Sequence, residues 1–273
     1  MLWCFFLKGR RVIDLGRIIV RKGRRMYGLA IFFSPEAPEV PGILAKIAKT
    51  LAERGVPIYH IIGSGLPLVG EYYILLFADF GDVDPREIAS LVSNIEHVAG
   101  VEVIEPIAPG IVIDNVTEEL ALGGERAIVM GKALYKGVFA DLREELGLSA
   151  GAIFYHIGLR AGRDVYSAHE KMLKGRNVNV FIEIMENVWK ATGFGMLEVL
   201  EIDRARGYAR VRIYNNFECE MFKGSGKPQG HFTRGIIEGW LEKCMGYELR
   251  SEEVKCIAKG DPYCEMEFWK AKR

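Results

Sequence analysis

The sequence has no long hydrophobic run. Its apolar start, Met1-Leu2-Trp3-Cys4-Phe5-Phe6-Leu7, ends far short of the roughly 18 residues a bilayer-spanning helix needs, and no basic region of a secretory signal precedes it, so no membrane span is expected. Neither sign of charge is in excess. The 36 Lys and Arg balance 36 Asp and Glu, which removes the global field that would draw a chain to nucleic acid or a membrane surface. Cysteine is scarce and odd in number, at Cys4, Cys219, Cys244, Cys256 and Cys264; this excludes a disulfide-dense secreted scaffold and favours a cytoplasmic protein. Catalytic signatures are missing as well. His60, His97, His156, His169 and His231 lack the HExxH spacing, and no GxSxG, Walker-type or GxGxxG loop occurs, so the chain is not expected to be an enzyme.

What is present suffices for two domains: 273 residues, 49% of them apolar, match two cores of ordinary size. Charge is unevenly spread. Lys8, Arg10, Arg11, Arg17, Arg21, Lys22, Arg24 and Arg25 stand against Asp14 alone, so residues 1–26 read as a basic N-terminal extension, most simply a solvated strand pair at a domain edge.

From Tyr27 the pattern runs strand, helix, strand, strand, helix, strand. Gly28 to Phe33 is an apolar run of strand length closed by Ser34-Pro35. Ile43, Leu44, Ile47 and Leu51 then recur at helical spacing up to Gly55, where a helix stop is expected. Val56–Ile62 and Tyr72–Phe80 read as strands, Asp84-Pro85 opens a helix to about Ala99, and Val101–Pro106 gives a fourth strand. This βαββαβ order predicts a ferredoxin-like fold over residues 27–106 and an α+β class for the chain.

The turn into the first of these helices is informative. Val40-Pro41-Gly42-Ile43-Leu44-Ala45, with Gly55-Val56-Pro57-Ile58 downstream, resembles the signature of the ACT domain, a small amino-acid-sensing module. Pro and Gly at a strand-to-helix turn let a ligand approach the backbone and leave the first helical N–H groups to meet a carboxylate. The resemblance implies a site for an amino acid or similar small polar ligand at Glu39, Val40, Pro41, Gly42, Ile43 and Leu44, with Glu39 two residues before Pro41. The family also uses such domains purely for dimerisation, and both roles stay open.

Residues 107–124, with Pro109, Gly110, Gly123 and Gly124, read as a linker around the short apolar Ile111-Val112-Ile113. A second domain, 125–273, starts with a strand at Ala127–Met130. A helix carrying Phe139, Leu142 and Leu146 on one side follows, and then a glycine-rich helix from Ala150 to Ala161. Gly151, Gly158 and Gly162 weaken that helix, by about 1 kcal/mol each in isolation, unless close helix packing or close approach to a ligand compensates; packing is the simpler reading. A helix at Phe181–Thr192, a hairpin of Met196–Ile202 with Tyr208–Asn215, a helix at Gly230–Leu241 and a strand pair Leu249–Lys255 and Tyr263–Lys270 complete the pattern.

Residues accumulate here that belong together. Asn215-Asn216-Phe217-Glu218-Cys219-Glu220, then Gly230-His231-Phe232, then Glu252 to Glu267 with Cys256-Ile257-Ala258-Lys259-Gly260-Asp261-Pro262-Tyr263-Cys264, resemble the 4-vinyl reductase domain, also called a hydrocarbon-binding domain. The resemblance spans about Glu125 to Trp269. It implies a mixed α/β fold similar to vesicle-tether subunits and to the phenol-sensing input domains of bacterial regulators, with a site for a small hydrophobic ligand. Phe154, Tyr155, Trp189 and Phe232 are the aromatic candidates to line it.

The resemblance also implies zinc. In phenol-sensing relatives the ion is held by a cysteine pair matching Cys256 and Cys264, by a cysteine near the start of the last long helix, and by a glutamate. Gly230 stands where that further cysteine is expected. Glu218 is the candidate glutamate, and Cys219 and His231 are candidate substitutes; strand alternation would point Glu218 and Cys219 to opposite faces, so one of them serves. The alternative is a set of inert buried thiols. Three functions compete: a non-catalytic ligand-sensing regulator working as a homodimer with a downstream protein partner, a scaffold subunit resembling the vesicle tethers, and an accessory subunit of a vinyl-group reductase.

Overall fold

The computed structural model describes residues 12–64, 72–147, 149–173 and 177–271; Cys4, Lys8, Arg10 and Arg11 lie outside them. The chain divides into two compact units, Met1–Val129 and Met130–Arg273.

In the first unit, β1 (Ile18–Val20) and β2 (Met26–Phe33) precede the one-turn Ala37–Glu39 and helix α1 (Ile43–Glu53). Then come β3 (Ile58–Ser64), β4 (Tyr72–Asp79), α2 (Pro85–Ser93), β5 (Val98–Ile104), β6 (Ile111–Ile113), β7 (Leu120–Leu122) and β8 (Glu125–Ala127). The main sheet has the order β3-β4-β2-β5 with every pair antiparallel. Helix α1 buries Ile43, Ile47 and Leu51 on it, while Leu44 is exposed. Helix α2 opens on the Asp84 carboxylate, which accepts from Arg86 N at 2.9 Å, and it ends at Ser93 rather than near Ala99. His97 takes φ 69°, and β5 starts at Val98, so the chain has already turned back toward the sheet.

The apolar run in β2 reflects burial on both faces. Leu29 and Ile31 pack against the helices with Ile47, Leu51, Ile88 and Val92, whereas Met26 and Ala30 pack on the other side with Phe77, Ile104, Ile19 and Val112. Ile19 and Val112 come from β1 and β6, which pair antiparallel. Parts of the basic extension and of the stretch read as a linker therefore form a second small sheet over the first unit. Arg17 Nε donates to Asp114 at 2.8 Å and Arg25 N to Asp79 at 3.1 Å, so these basic residues face acids of the same unit.

The second unit begins with α3 (Lys132–Lys136), a π-helical turn Gly137–Asp141 and α4 (Leu142–Leu146), followed by α5 (Ser149–Met172) and α6 (Val178–Ala191). A hairpin of β9 (Met196–Asp203) and β10 (Tyr208–Tyr214) leads to the one-turn α7 (Phe217–Glu220), then α8 (His231–Met245), β11 (Leu249–Lys255) and β12 (Cys264–Lys270). The antiparallel sheet runs β11-β12-β10-β9. The strand expected at Ala127–Met130 is instead β8, paired with β7 in the first unit. The side expected to carry Phe139, Leu142 and Leu146 inward also differs: the wide π turn buries Phe139 and Ala140 and leaves Leu142 and Leu146 exposed.

Helix α8 buries ten residues, from Thr233 to Met245, the signature of a helix covered on all sides. Its core partners are Ala209, Val211, Ile213, Met266 and Phe268 of the sheet and Phe181, Met185 and Trp189 of α6. Helix α5 crosses it at four glycines. A Cβ at Gly158 or Gly162 would overlap the Phe232 or Ile236 carbonyl, and one at Gly235 or Gly239 would overlap the Tyr155 or Leu159 carbonyl. Two reciprocal Gly-x-x-x-Gly pairs thus bring the two backbones into contact.

Replacing Gly162 by Ala is expected to lower stability by about 1–3 kcal/mol despite the better helix propensity of Ala, because a carbonyl in a packed helix cannot step aside. A urea midpoint that falls with unchanged slope checks this; an unchanged midpoint refutes it.

Candidate functional site

Four side chains of the second unit converge. One donor atom each from Cys219, Glu253, Cys256 and Cys264 lies within 4.8 Å of all the others, and all four residues are buried. Each is placed by local backbone chemistry. Asn216 caps α7, accepting from Glu218 N at 3.2 Å, while its Nδ2 reaches Cys219 Sγ at 3.4 Å and Thr233 Oγ1 at 3.1 Å. In β11 the alternation that turns Leu249 inward also buries Glu253. A bulge follows: Glu253 faces Met266 and Lys255 faces Glu265, so Val254 is the extra residue and Cys256 returns to the side of Glu253. The Gly260-Asp261-Pro262 turn then brings Cys264 back. Gly260 takes φ 107°, and Asp261 Oδ2 accepts from Cys256 N at 2.8 Å.

The four donors are held from outside. Gly230 N donates to Glu253 Oε2 at 2.9 Å, and Ile257 N lies 3.5 Å from Cys264 Sγ. Burial, reinforced by the negative Cys256, pushes the Glu253 carboxyl up to about 8. Hydrogen bonds from Cys219 and Cys264 lower Cys256, and Cys219 is raised by its contacts with the other two thiols and by burial. One anionic sulfur is thus shared among three, the state a thiolate-binding ion would find.

Of the residues singled out in the sequence, Cys219, Cys256 and Cys264 meet here, and Glu218 and His231 do not. Glu218 accepts from Phe232 N (2.9 Å), Thr233 N (2.8 Å) and Thr233 Oγ1 (2.9 Å) and pairs with Arg143. The exposed amides at the start of α8 attract its charge, and no oxygen is left for the thiols. The His231 ring packs on Gly151 of α5. Glu253 is the residue the sequence reading missed, although its position two and four residues after Ser251 and Leu249 was the available signal. The place expected for a further cysteine, Gly230, contributes its N–H instead, and Cys219 supplies the third thiol.

Beside this cluster lies a chain of aromatic rings. Trp189 meets Phe194 (5.4 Å between centroids), Phe194 meets Phe217 (4.8 Å), and Phe139 contacts Phe217, Phe154 and Phe232 at 5.5, 5.2 and 5.0 Å. The buried Trp189 Nε1 has no hydrogen-bond partner among the described residues. Phe154, Trp189 and Phe232 belong to this chain. Tyr155, the next residue along α5, points elsewhere: its hydroxyl donates to Glu238 and its ring lies under Arg234.

In the first unit a cleft of about 340 Å³ is lined by Val40, Gly42, Ile43 and Leu44 with Phe33 and Ile74. Gly42, at φ 91°, makes the turn into α1. Glu39 and Pro41 are exposed and do not line it.

Burial, with the charges of Arg143 and Arg234, holds the His231 imidazole down to about 4, against 6.5 for an ordinary histidine. The folded state therefore resists a proton that the unfolded chain takes up, and stability is lost as pH falls from about 7 through 4. Allowing for partial exposure, the loss attributable to His231 is about 1–2 kcal/mol. Denaturation of wild type and His231→Gln across that range should show the difference; parallel curves would refute it.

Comparison with known proteins bears on the second unit. The family model of the 4-vinyl reductase domain matches residues 209–270. The uncharacterized protein MJ0150 of Methanocaldococcus jannaschii is 29% identical over 154 residues, covering 56% of this chain and 82% of that protein. The phenol regulator MopR of Acinetobacter guillouiae is 24% identical over 172 residues, covering 60% of this chain and 31% of MopR. Among solved structures, the phenol-responsive sensory domain of the transcription activator PoxR superposes with a TM-score of 0.50 at 21% identity, covering 56% of this chain and 80% of that one. Among the described residues no helix is long and apolar enough to cross a membrane. The chain thus carries a segment matching the 4-vinyl reductase domain within a mixed α/β fold shared with a sensory domain.

Proposed function

We propose that this chain is a non-catalytic regulatory protein whose second unit binds a small hydrophobic ligand among the aromatic rings. The observation that carries the reading is Trp189 Nε1, a buried donor left without an acceptor among the described residues. Such a group normally finds a partner, and a ligand bearing a hydroxyl or carbonyl would supply one while its apolar body is buried against Phe194 and its neighbours. The likeness to two phenol-linked regulators supports the same class of ligand.

The cysteine cluster fits a structural zinc. A tetrahedral ion with Zn–S bonds of about 2.3 Å puts neighbouring donors about 3.8 Å apart, and three thiols with one carboxylate make a closed set. Bound there, zinc would supply cross-linking and charge neutralisation. Cys219, Glu253, Cys256 and Cys264 would hold it, with the N–H groups of Gly230 and Ile257 and the amide of Asn216 orienting the donors. For the first unit, the strand order, the Gly42 turn and the adjacent cleft support a ferredoxin-like, ACT-like module for an amino acid or similar polar molecule. The working form in this reading is a cytoplasmic homodimer that signals to a downstream protein partner.

Zinc titration of the full chain, followed by native mass spectrometry, should find one ion per chain, bound at least tenfold more weakly in Cys256→Ser; equal binding would remove Cys256 from the site. Phenol should raise the melting temperature, and Trp189→Phe should weaken phenol binding about tenfold, the worth of one buried hydrogen bond. No shift with phenol would set aside the hydrophobic-ligand reading.

A further inference from the structure

The segment Lys132–Leu146 touches the aromatic rings through one plug. Phe139 inserts between Phe154, Phe217 and Phe232, while Leu134, Val138, Leu142 and Leu146 of the same segment are exposed. Phe139 sits at the centre of the π turn Gly137–Asp141, and single π turns inside helices recur where a helix has been reshaped for function.

A polar tie secures the segment four residues further on. Arg143 pairs with Glu218 and donates to the main-chain oxygen of Gln229 at 3.0 Å and to Gln229 Oε1 at 3.2 Å. Its guanidinium is stacked between Phe154 at 4.9 Å and Phe222 at 4.7 Å, with the side chain 8% exposed. Its Nε has no hydrogen-bond partner among the described residues. Withdrawing a cation from water while leaving one of its N–H groups unmet is a weak way to gain stability.

The two partners are also unequal. If Arg143 withdraws, Glu218 keeps three donors at the start of α8, Phe232 N, Thr233 N and Thr233 Oγ1, and its charge remains compensated. Arg143 lies on a short helix whose other side already faces solvent. The bond can therefore break on the side of Lys132–Leu146 without cost to α8 or the sheet.

We propose that Lys132–Leu146 is a lid over the aromatic ligand site and that Arg143 is its latch: release of Arg143 from Glu218 withdraws Phe139 and opens the way for ligand. This rests on the reading of the aromatic chain as the ligand site. It makes Arg143 a positioning residue that sets the rate of entry and exit and leaves affinity nearly unchanged.

Hydrogen exchange of the full chain, read by mass spectrometry, tests the lid without any ligand. Arg143→Met should speed exchange of amides 132–146 at least tenfold and leave α8 and β10–β12 at wild-type rates, with Arg143→Lys between the two. Unchanged exchange in 132–146, or exchange that rises equally in α8 and the sheet, would overturn the latch. Should Arg143→Met not fold, Arg143→Lys carries the same comparison. Stopped-flow binding of phenol supplies the second reading: association and dissociation should both quicken about tenfold in Arg143→Met, and unchanged rates alongside faster exchange would overturn the gating role. Absence of phenol binding to wild type would count against the ligand site, while the exchange data still decide the latch.

Discussion

The second unit depends on a helix with no solvent face. Helix α8 lies between the sheet and α5, and this burial accounts for two features that look unrelated in the sequence. Its flanks must be small where α5 crosses, hence Gly235 and Gly239 against Gly158 and Gly162. Its first turn must be met by acceptors other than water, hence two buried carboxylates, Glu218 on Phe232 and Thr233, and Glu253 on Gly230. The candidate metal cluster is built around the second of these. The thiols therefore gather where the helix start, the β11 bulge and the β12 turn come together.

Much of the layout was legible because it is written locally. The hairpin strands β9 and β10 alternate, α1 and α6 carry apolar residues at helical spacing, and Gly260-Asp261-Pro262 announces the turn between Cys256 and Cys264. Features set by distant partners were not legible. The three-residue strands β1 and β6 are too short to show a period, and they become strands by pairing across about ninety residues of chain. The π turn at Gly137–Asp141 shifts which residues face inward by a fraction of a turn, so an ordinary helical wheel misplaces Leu142 and Leu146.

The site was half legible for the same reason. Cys219, Cys256 and Cys264 stand out by residue type. Between the acids, type alone cannot choose: Glu218, beside Cys219, is claimed by the α8 amides, and Glu253, inside the acidic pair Glu252-Glu253, is the one turned inward. In the first unit the Pro-Gly turn marked the cleft correctly at Val40, Gly42, Ile43 and Leu44, but a sequence motif does not tell which of its members face solvent, and Glu39 and Pro41 do.

One consequence follows from the single turn of α7. Glu218 and Cys219 are neighbours in the chain, yet each serves a different network, one bracing a helix end and a covering segment, the other completing a cluster of sulfurs. Chain length there is consequently frozen: inserting or deleting one residue would rotate both side chains by about 100° and cost both networks at once. Descendants of this gene can drift freely in the loops on either side, but between Asn216 and Glu220 they can change residues only in place.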